Sequence, residues 1–169
     1  ICPRGKGLGG SSSINGMIYV RGHPQDFDNW STEGASSWSF SDVLPYFKKM
    51  EFCENRNSPW RGKNGLIRIK TAEQKNVLHQ VFSEAAIQSG YSLTEDYNGY
   101  KQEGIGAAEM TIHKGNRWSA AKGYLEKITK QKNICIMTSC LADKLLFLNN
   151  KCNGLIFKRK SETFSAKCR

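Results

Sequence analysis

The sequence predicts a mixed α/β chain, and three observations support this class. Residues 5–13 are glycine or serine at seven of nine positions, which excludes a regular helix or strand there. Apolar residues recur at helical spacing in residues 41–51 and 76–89. Short apolar runs between turn residues follow in residues 134–157 and are typical of strands. With 169 residues, the chain is long enough to bury one ordinary core.

The glycine-rich stretch of residues 3–22, called the glycine loop below, is the feature best suited to binding a ligand. Glycine permits a close approach of backbone to ligand, while the serines and Asn15 add short polar groups. Such a loop suits a flat or anionic ligand, with amide donors facing it. A flexible linker is the alternative, but Leu8, Ile14 and Tyr19 interrupt the run, and a linker has no need to bury such side chains.

Two short helices are predicted after the glycine loop. Pro24 and the Asp and Asn residues near it favour a turn and then a helix ending near Trp30. The second helix spans residues 41–51, with Ser41 as its N-cap and Pro45 in its first turn, where backbone donors lack partners.

A strand and a third helix follow a polar connection. Residues 54–65 contain glycine and proline among polar residues, which predicts an exposed loop. Apolar and charged residues alternate weakly over residues 66–70, as in a strand. The third helix runs from Asn76 as its cap to Ser89, and Gly90 ends it.

Turn residues divide the remaining chain. Asn98-Gly99 favours positive φ, residues 114–117 form another turn, and Ser119 can cap a helix over residues 120–125.

The last part of the chain is predicted to be β-structure. Residues 134–137 form an apolar run typical of a buried parallel strand, with Cys135 as a small buried side chain. A hairpin or meander around Asn149-Asn150 is expected next. Its predicted strands are residues 144–148, 155–157 and 163–167.

The segment from Gly5 to Asp28 resembles the first signature of the glucose–methanol–choline (GMC) oxidoreductases, flavoenzymes that oxidise alcohols using FAD. More than ten specified positions agree in fixed register, which is far more specific than a lone glycine fingerprint. Residues 96–99 and 115–125 resemble later family patterns and stand in the family's order. Residues 17–23 most resemble the insect glucose-dehydrogenase-like branch. The matching signature residues are Gly5, Lys6, Leu8, Gly9, Gly10, Ser11, Ser12, Ile14, Asn15, Tyr19, Gly22 and Asp28.

The resemblance implies part of a Rossmann-like FAD-binding domain with an inserted piece of an antiparallel-sheet substrate domain. Residues 1–58 are predicted to extend the FAD-binding domain with the glycine loop and a helix. Residues 59–98 would be the excursion into the substrate domain. Residues 99–169 would return to the FAD-binding domain.

The resemblance also implies which residues contact FAD, whose pyrophosphate needs donors and whose ring needs a fitted wall. Gly10 and Ser11 would meet the phosphate region, and Gly16 would let the ring approach closely. Some family members bond FAD covalently to a histidine at the position of Ile14, which has no nucleophilic nitrogen, so non-covalent FAD is predicted. The predicted cofactor-binding residues are Gly10, Ser11, Asn15, Gly16, Met17, Ile18 and Ala142, the last where the family prefers valine.

The catalytic histidine of the family, which takes the substrate hydroxyl proton during hydride transfer to the flavin, is expected beyond Arg169. His23, His79 and His113 do not match it and are interpreted as structural, with His113 on an exposed strand end. The family's opening Gly-x-Gly-x-x-Gly turn would precede Ile1. We therefore expect an internal piece of an enzyme that oxidises a small-molecule alcohol (sugar, sterol or choline-like), inactive by itself.

Charge leaves another functional class to consider. The chain carries 25 Lys and Arg against 15 Asp and Glu, a net charge of +10, and a basic nucleic-acid-binding module is one alternative. The charges form no basic stripe and do not alternate with aromatic residues, so we expect no nucleic-acid partner. A catalytically inactive relative is the second alternative.

Neither a membrane partner nor a metal site is expected. No apolar run approaches the roughly 20 residues that span a bilayer, so no membrane partner is predicted. The six cysteines contain no Cys-x-x-Cys pair and only three histidines accompany them, so no metal site is predicted.

Overall fold

A computed structural model describes residues 1–168, and Arg169 lies outside them. The glycine loop closes in a 3₁₀ turn at Gly10–Ser13. Three α-helices follow in the chain, each preceded by a residue whose side chain accepts a hydrogen bond from the first turn. They are α1 (Pro24–Thr32), α2 (Phe40–Met50) and α3 (Val77–Gln88).

The starts of α1 and α2 are set by reciprocal caps. His23 accepts from the Gln25 amide through Nδ1, while the Asp26 carboxylate accepts from the His23 amide, so His23 has the structural role that the sequence predicted. Ser39 caps α2 in the same way with Asp42. The prediction of Ser41 as the N-cap was therefore wrong by two residues.

The earlier start of α2 moves Pro45 beyond the first turn and into the body of the helix. Because proline has no amide hydrogen, one backbone hydrogen bond is missing there, and the helix tolerates it over its short length of 11 residues.

The core sheet combines parallel and antiparallel pairing. Strand β1 (Glu51–Cys53) continues directly from α2 and pairs in parallel with β2 (Ile67–Thr71). Strand β3 (Glu109–Met110) pairs antiparallel with β2. Ile18 bridges Met110 antiparallel, so the end of the glycine loop forms the next edge of this sheet. Tyr19, Cys53, Ile67 and Ile69 form the buried apolar cluster.

Helix α3 follows the prediction closely at both ends. The Asn76 side chain accepts from the Leu78 amide, and Gly90 adopts a φ of 86° after the last turn. Its apolar side chains are mostly exposed within residues 1–168, and Ala86 is the buried one.

A tight hairpin follows the core sheet. Strands β4 (Ile112–His113) and β5 (Asn116–Arg117) pair across Lys114-Gly115, both with positive φ, as the predicted turn requires. His113 is half-buried against Trp118, at 5.0 Å between ring centroids, rather than exposed as predicted.

The helix predicted at residues 120–125 is a single π-helical turn at Ala121–Leu125. Ser119 does accept from the Lys122 amide, at 3.4 Å.

The predicted buried strand at residues 134–137 is wrong. These residues pair with no strand among those described, and the Cys135 side chain is exposed. An apolar run is buried only where a neighbouring element covers it, and no element within residues 1–168 does so here.

The predicted hairpin is confirmed and extends into a three-stranded antiparallel meander. Asn149 and Asn150 both have positive φ, which is the requirement of a type I′ turn. Phe157 is buried in the meander and stacks on Phe164 with ring centroids 5.6 Å apart. The strands are β6 (Cys140–Leu148), β7 (Lys151–Arg159) and β8 (Glu162–Lys167).

No helix of the described residues has the length and apolar character needed to cross a membrane.

Candidate functional site

The first half of the glycine loop is folded on itself. The Gly5 amide donates to Ser11 Oγ at 3.1 Å, and the Gly10 amide donates to the Gly7 carbonyl at 3.0 Å. A Cβ at Gly5 would lie 2.2 Å from the Gly10 carbonyl oxygen, so only glycine allows the two backbone segments to touch. This internal bonding argues against a flexible linker.

The second half of the loop contains a strained turn at Asn15–Met17. Met17 has a φ of 65°, a left-handed conformation that costs a residue with a side chain roughly 1–2 kcal/mol. The turn is held by Asn15 Oδ1, which accepts from the Met17 amide at 3.1 Å. It is also held by Thr111, whose amide donates to the Met17 carbonyl at 2.8 Å. Strained backbone of this kind is common at ligand sites.

Residues distant in sequence clamp the same turn. Arg117 Nη1 lies 2.7 Å from the Asn15 carbonyl oxygen and 2.8 Å from Asn15 Oδ1. The Ala120 amide donates to Ser12 Oγ at 2.9 Å. The structure therefore joins the glycine loop to the Gly115–Ala121 pattern, which the sequence singled out separately.

Five charged side chains meet behind the loop in what we call the buried charge cluster: Arg21, Glu51, Arg61, Asp96 and Glu109. Arg61 lies at its centre. Its Nε is 2.9 Å from Glu51 Oε1, its Nη2 is 2.8 Å from Glu109 Oε2, and its Nη1 is 2.6 Å from Asp96 Oδ1. Glu51 is 0%, Glu109 1% and Arg61 3% exposed, so each charge is shielded from water and is compensated by the opposite charges beside it.

The buried charge cluster holds the end of the glycine loop, at residues 19–21, through Asn98. Asn98 Oδ1 accepts from the Arg21 amide at 2.7 Å, while Nδ2 donates to the Tyr19 carbonyl at 3.1 Å and to Glu109 Oε2 at 2.8 Å. Tyr97 Oη also donates to the Tyr19 carbonyl, at 3.1 Å. Every one of these contacts crosses more than ten residues of sequence, so the cluster fixes the loop end to the core sheet.

The guanidinium of Arg21 makes fewer well-angled hydrogen bonds to carboxylates than that of Arg61 does. Its Nη2 lies 2.9 Å from Glu51 Oε1 but makes no well-angled hydrogen bond, so this contact is an ion pair only. Its Nη1 donates to the Trp60 carbonyl at 2.6 Å, and the guanidinium lies 5.2 Å from the centre of the Phe47 ring.

The cluster shifts the ionisation of its members. Burial alone would raise the pKa of Glu51, but hydrogen bonds from Arg61 and the Gly62 amide and the charge of Arg21 lower it. Burial raises the pKa of Tyr19, and the Glu51 charge adds to this. Burial likewise raises the pKa of Cys53 to about 11, which keeps its thiol protonated.

The prediction that residues 54–65 form an exposed loop was wrong at its most important positions. Arg61 and Gly62 are buried. A Cβ at Gly62 would lie 2.0 Å from the Lys48 carbonyl oxygen, so this segment is packed against the end of α2. The sequence carries no signal for this, because the partners of Arg61 lie 10, 35 and 48 residues away.

One face of the glycine loop stays open. A Cβ at Gly16 would meet no atom within 4 Å. Within residues 1–168 the amides of Gly16 and Ile18 donate to no protein acceptor, while those of Met17 and Tyr19 are paired. Ile14 is 60% and Ile18 54% exposed. Free donors beside exposed apolar side chains suit a flat ligand with polar edges.

The other predicted cofactor residues lie in two separate parts of the structure. Gly10 and Ser11 are in the 3₁₀ turn, on the same loop as Asn15 and Gly16. Ala142 lies apart from them, on β6 opposite Phe157. Neighbours of the two regions in sequence, but none of the predicted cofactor residues themselves, line a cavity of about 610 Å³. It is lined by Lys6, Gly7, Leu8, Met137, Thr138, Ser139, Cys140 and Leu141.

The histidines do not converge on the loop. His23 caps α1, His113 packs on Trp118, and His79 lies on α3 with Nε2 3.2 Å from Gln74 Nε2. In the described part of the chain, no group of three His, Cys, Asp or Glu side chains comes together as a metal site.

A glycine loop with open amides, seated at the edge of an α/β sheet beside a large cavity, has the features of a nucleotide-cofactor domain. The chain belongs to the GMC oxidoreductase family, whose model matches residues 1–168. FAD is the cofactor of this family, and the mixed α/β fold is that of its FAD-binding domain.

Curated relatives support this membership. The chain is 49% identical over 155 residues to an oxygen-dependent choline dehydrogenase of Brucella anthropi, covering 92% of this chain and 28% of the relative. It is 54% identical over 134 residues to that of Brucella ovis, covering 79% and 24%. The chain thus spans less than a third of the length of these relatives. The predicted resemblance to the insect glucose-dehydrogenase-like branch is not confirmed.

Solved structures agree with the fold. Pyridoxine 4-oxidase from Mesorbium loti is similar with a TM-score of 0.88 at 28% identity, covering 97% of this chain and 33% of that one. A formate oxidase of Aspergillus oryzae, in which FAD modification has been examined, is similar with a TM-score of 0.83 at 25% identity, covering 96% and 30%.

Proposed function

We propose that this chain is part of a longer FAD-dependent oxidoreductase that oxidises the CH–OH group of a small alcohol. The family membership and the identities of about one half to choline dehydrogenases support this activity. The observation that carries it is the open face at Gly16, which offers unpaired amides and no blocking side chain.

The residues of this chain have binding and orienting roles in the proposal. Gly10 and Ser11 would hold the phosphate region, since Ser11 Oγ already accepts from Gly5 and keeps its hydroxyl hydrogen for a ligand. Asn15–Ile18 would lie along the ribityl chain and ring, with Gly16 giving the closest approach. Ala142 would meet the adenine through its backbone, and a backbone contact tolerates alanine in place of valine.

When bound, FAD would accept the hydride from the alcohol carbon. The chain itself contributes a rigid wall that orients the ring and excludes water from one side. The residue that takes the hydroxyl proton is proposed to be a histidine in a part of the enzyme beyond Arg169. Ile14 lacks a nucleophilic nitrogen, so we propose that the cofactor is held without a covalent bond at this position.

The three-segment division into residues 1–58, 59–98 and 99–169 stays a prediction.

The identity of the substrate also stays a prediction. Choline-like alcohols are the first class to test, because the relatives named above are choline dehydrogenases. A sugar substrate would instead agree with the insect-branch resemblance of residues 17–23, and sterols are the third class.

The proposal is tested on the full-length protein that contains these residues. The purified protein is expected to show flavin absorption that bleaches when choline, glucose or a sterol is added without oxygen. Acid precipitation is expected to release all of the flavin into the supernatant. A folded protein that takes up no FAD contradicts the proposed function, and flavin that stays with the pellet contradicts non-covalent binding.

The same protein tests the two alternatives. FAD uptake without bleaching by any alcohol would support an inactive relative. Salt-dependent binding of DNA or RNA by a flavin-free protein would support a nucleic-acid-binding module.

A further inference from the structure

The turn at Asn15–Met17 needs support from outside itself. Met17 is held at a φ of 65°, and Asn15 and Gly16 lie exposed at the surface with no core packing around them. Left to itself, an exposed turn containing a strained non-glycine residue would relax to other conformations. The support is therefore expected in the few hydrogen bonds that reach the turn.

Thr111 supplies part of that support at the Met17 carbonyl, and Arg117 supplies the part at Asn15 through a single atom. Its Nη1 contacts the Asn15 carbonyl oxygen at 2.7 Å, Asn15 Oδ1 at 2.8 Å and the Ser12 carbonyl oxygen at 3.4 Å. Asn15 Oδ1 in turn accepts from the Met17 amide. The guanidinium thus orients the same side-chain oxygen that fixes the strained residue.

Arg117 has no comparable role in the core. It lies on the short β4–β5 hairpin, outside the buried charge cluster, and makes no ion pair with a carboxylate among the described residues. The hydrogen bonds of its side chain all end on the glycine loop. A residue with these contacts affects the shape of the loop more than the stability of the sheet.

We propose that Arg117 is a positioning residue that holds the Asn15–Met17 turn in the shape that receives the flavin. This inference rests on the function proposed above, because it assigns a ligand to the open face. Preorganisation of the turn lowers the conformational cost of binding, so loss of Arg117 weakens FAD binding without changing which atoms contact the cofactor.

The test compares three variants of the full-length protein in flavin-free form: Arg117→Ala, Arg117→Lys and the control Arg68→Ala. Arg68 is also a partly buried arginine, but its guanidinium stacks 3.9 Å from the centre of the Phe52 ring, away from the loop. The dissociation constant for FAD is measured by titration. Melting temperature and hydrogen exchange of residues 15–18 are measured on the flavin-free proteins.

We expect Arg117→Ala to raise the dissociation constant about tenfold, because charge-assisted hydrogen bonds to the turn are lost. Exchange at residues 15–18 should accelerate, while the melting temperature falls no further than in Arg68→Ala. Arg117→Lys should recover part of the affinity, since an ammonium brings three donors to the three acceptors. If Arg117→Ala does not fold, Arg117→Lys serves in its place, with an expected weakening of about threefold.

An FAD dissociation constant within twofold of wild type in the alanine variant, or an equal loss in Arg68→Ala, overturns the positioning role. These results are distinct from failure of the proposed function, which would appear as a wild-type protein that binds no FAD at all.

Discussion

The buried charge cluster and the β6–β7–β8 meander are stabilised in opposite ways. In the cluster, Arg61 joins three carboxylates at 2.6–2.9 Å, and Arg61, Glu51 and Glu109 are almost fully buried. In the meander, the Lys158–Asp143 pair is 3.6 Å long and about half exposed. Apart from the buried Phe157, several of its apolar side chains are exposed, among them Leu141, Leu145, Phe147 and Leu148.

This difference separates two parts of the proposed flavin site. The glycine loop is fixed by contacts made inside the chain, through Asn98 and Arg117, so its open face is formed before any ligand arrives. The contact proposed for Ala142 depends on a sheet whose faces few residues of this chain cover. We therefore expect the loop to be the better defined half of the site.

Replacing Arg61 by methionine tests this comparison with the largest expected loss of stability. It would leave Glu51 and Glu109 buried without their shared cation, and the expected loss is about 3–5 kcal/mol in the free energy of unfolding. Urea unfolding followed by circular dichroism measures it.

Lys158→Ala is the matched control in the meander, with an expected change below about 0.5 kcal/mol because the pair is exposed. Equal changes in the two variants would show that the cluster contributes no more than a surface pair.

A smaller effect is expected from pH. The pKa of Glu51 in the folded protein is below its ordinary value of 4.5, so the unfolded chain binds more protons between the two values. The stability from the ionised carboxylate is complete above pH 4.5 and is lost as the pH falls through the folded-state pKa.

Urea midpoints measured between pH 7 and pH 3 should therefore fall most steeply below pH 4.5. The slope should be shallower in Glu51→Gln, which cannot ionise at this position. Parallel pH profiles for the two proteins would contradict the assignment of this linkage to Glu51.

The elements that the sequence predicted well are those with local signals. Asn76 and Gly90 bound α3 as predicted, and Asn149-Asn150 forms the expected hairpin turn, because caps and turns depend on neighbouring residues. The choice of Ser41 over Ser39 as a cap failed because both are good capping residues, and the nearby Asp42 decides between them.

The elements that the sequence missed depend on distant partners. Arg61 was assigned to an exposed loop because polar residues surround it, yet it is buried by Glu51, Asp96 and Glu109. Cys135 was expected to be buried on apolar composition alone. At the site, the glycine loop was identified from its own residues, whereas the clamp by Arg117 required the three-dimensional arrangement.

The most direct test of the account is FAD binding by Gly16→Ala. Gly16 is not among the positive-φ glycines, and a Cβ there meets no protein atom within 4 Å, so the melting temperature should change by no more than about 2 °C. The added methyl would stand on the face proposed for the flavin ring, and the dissociation constant for FAD should rise on the order of tenfold. A variant that binds FAD as tightly as the wild-type protein would contradict the claim that this face receives the flavin.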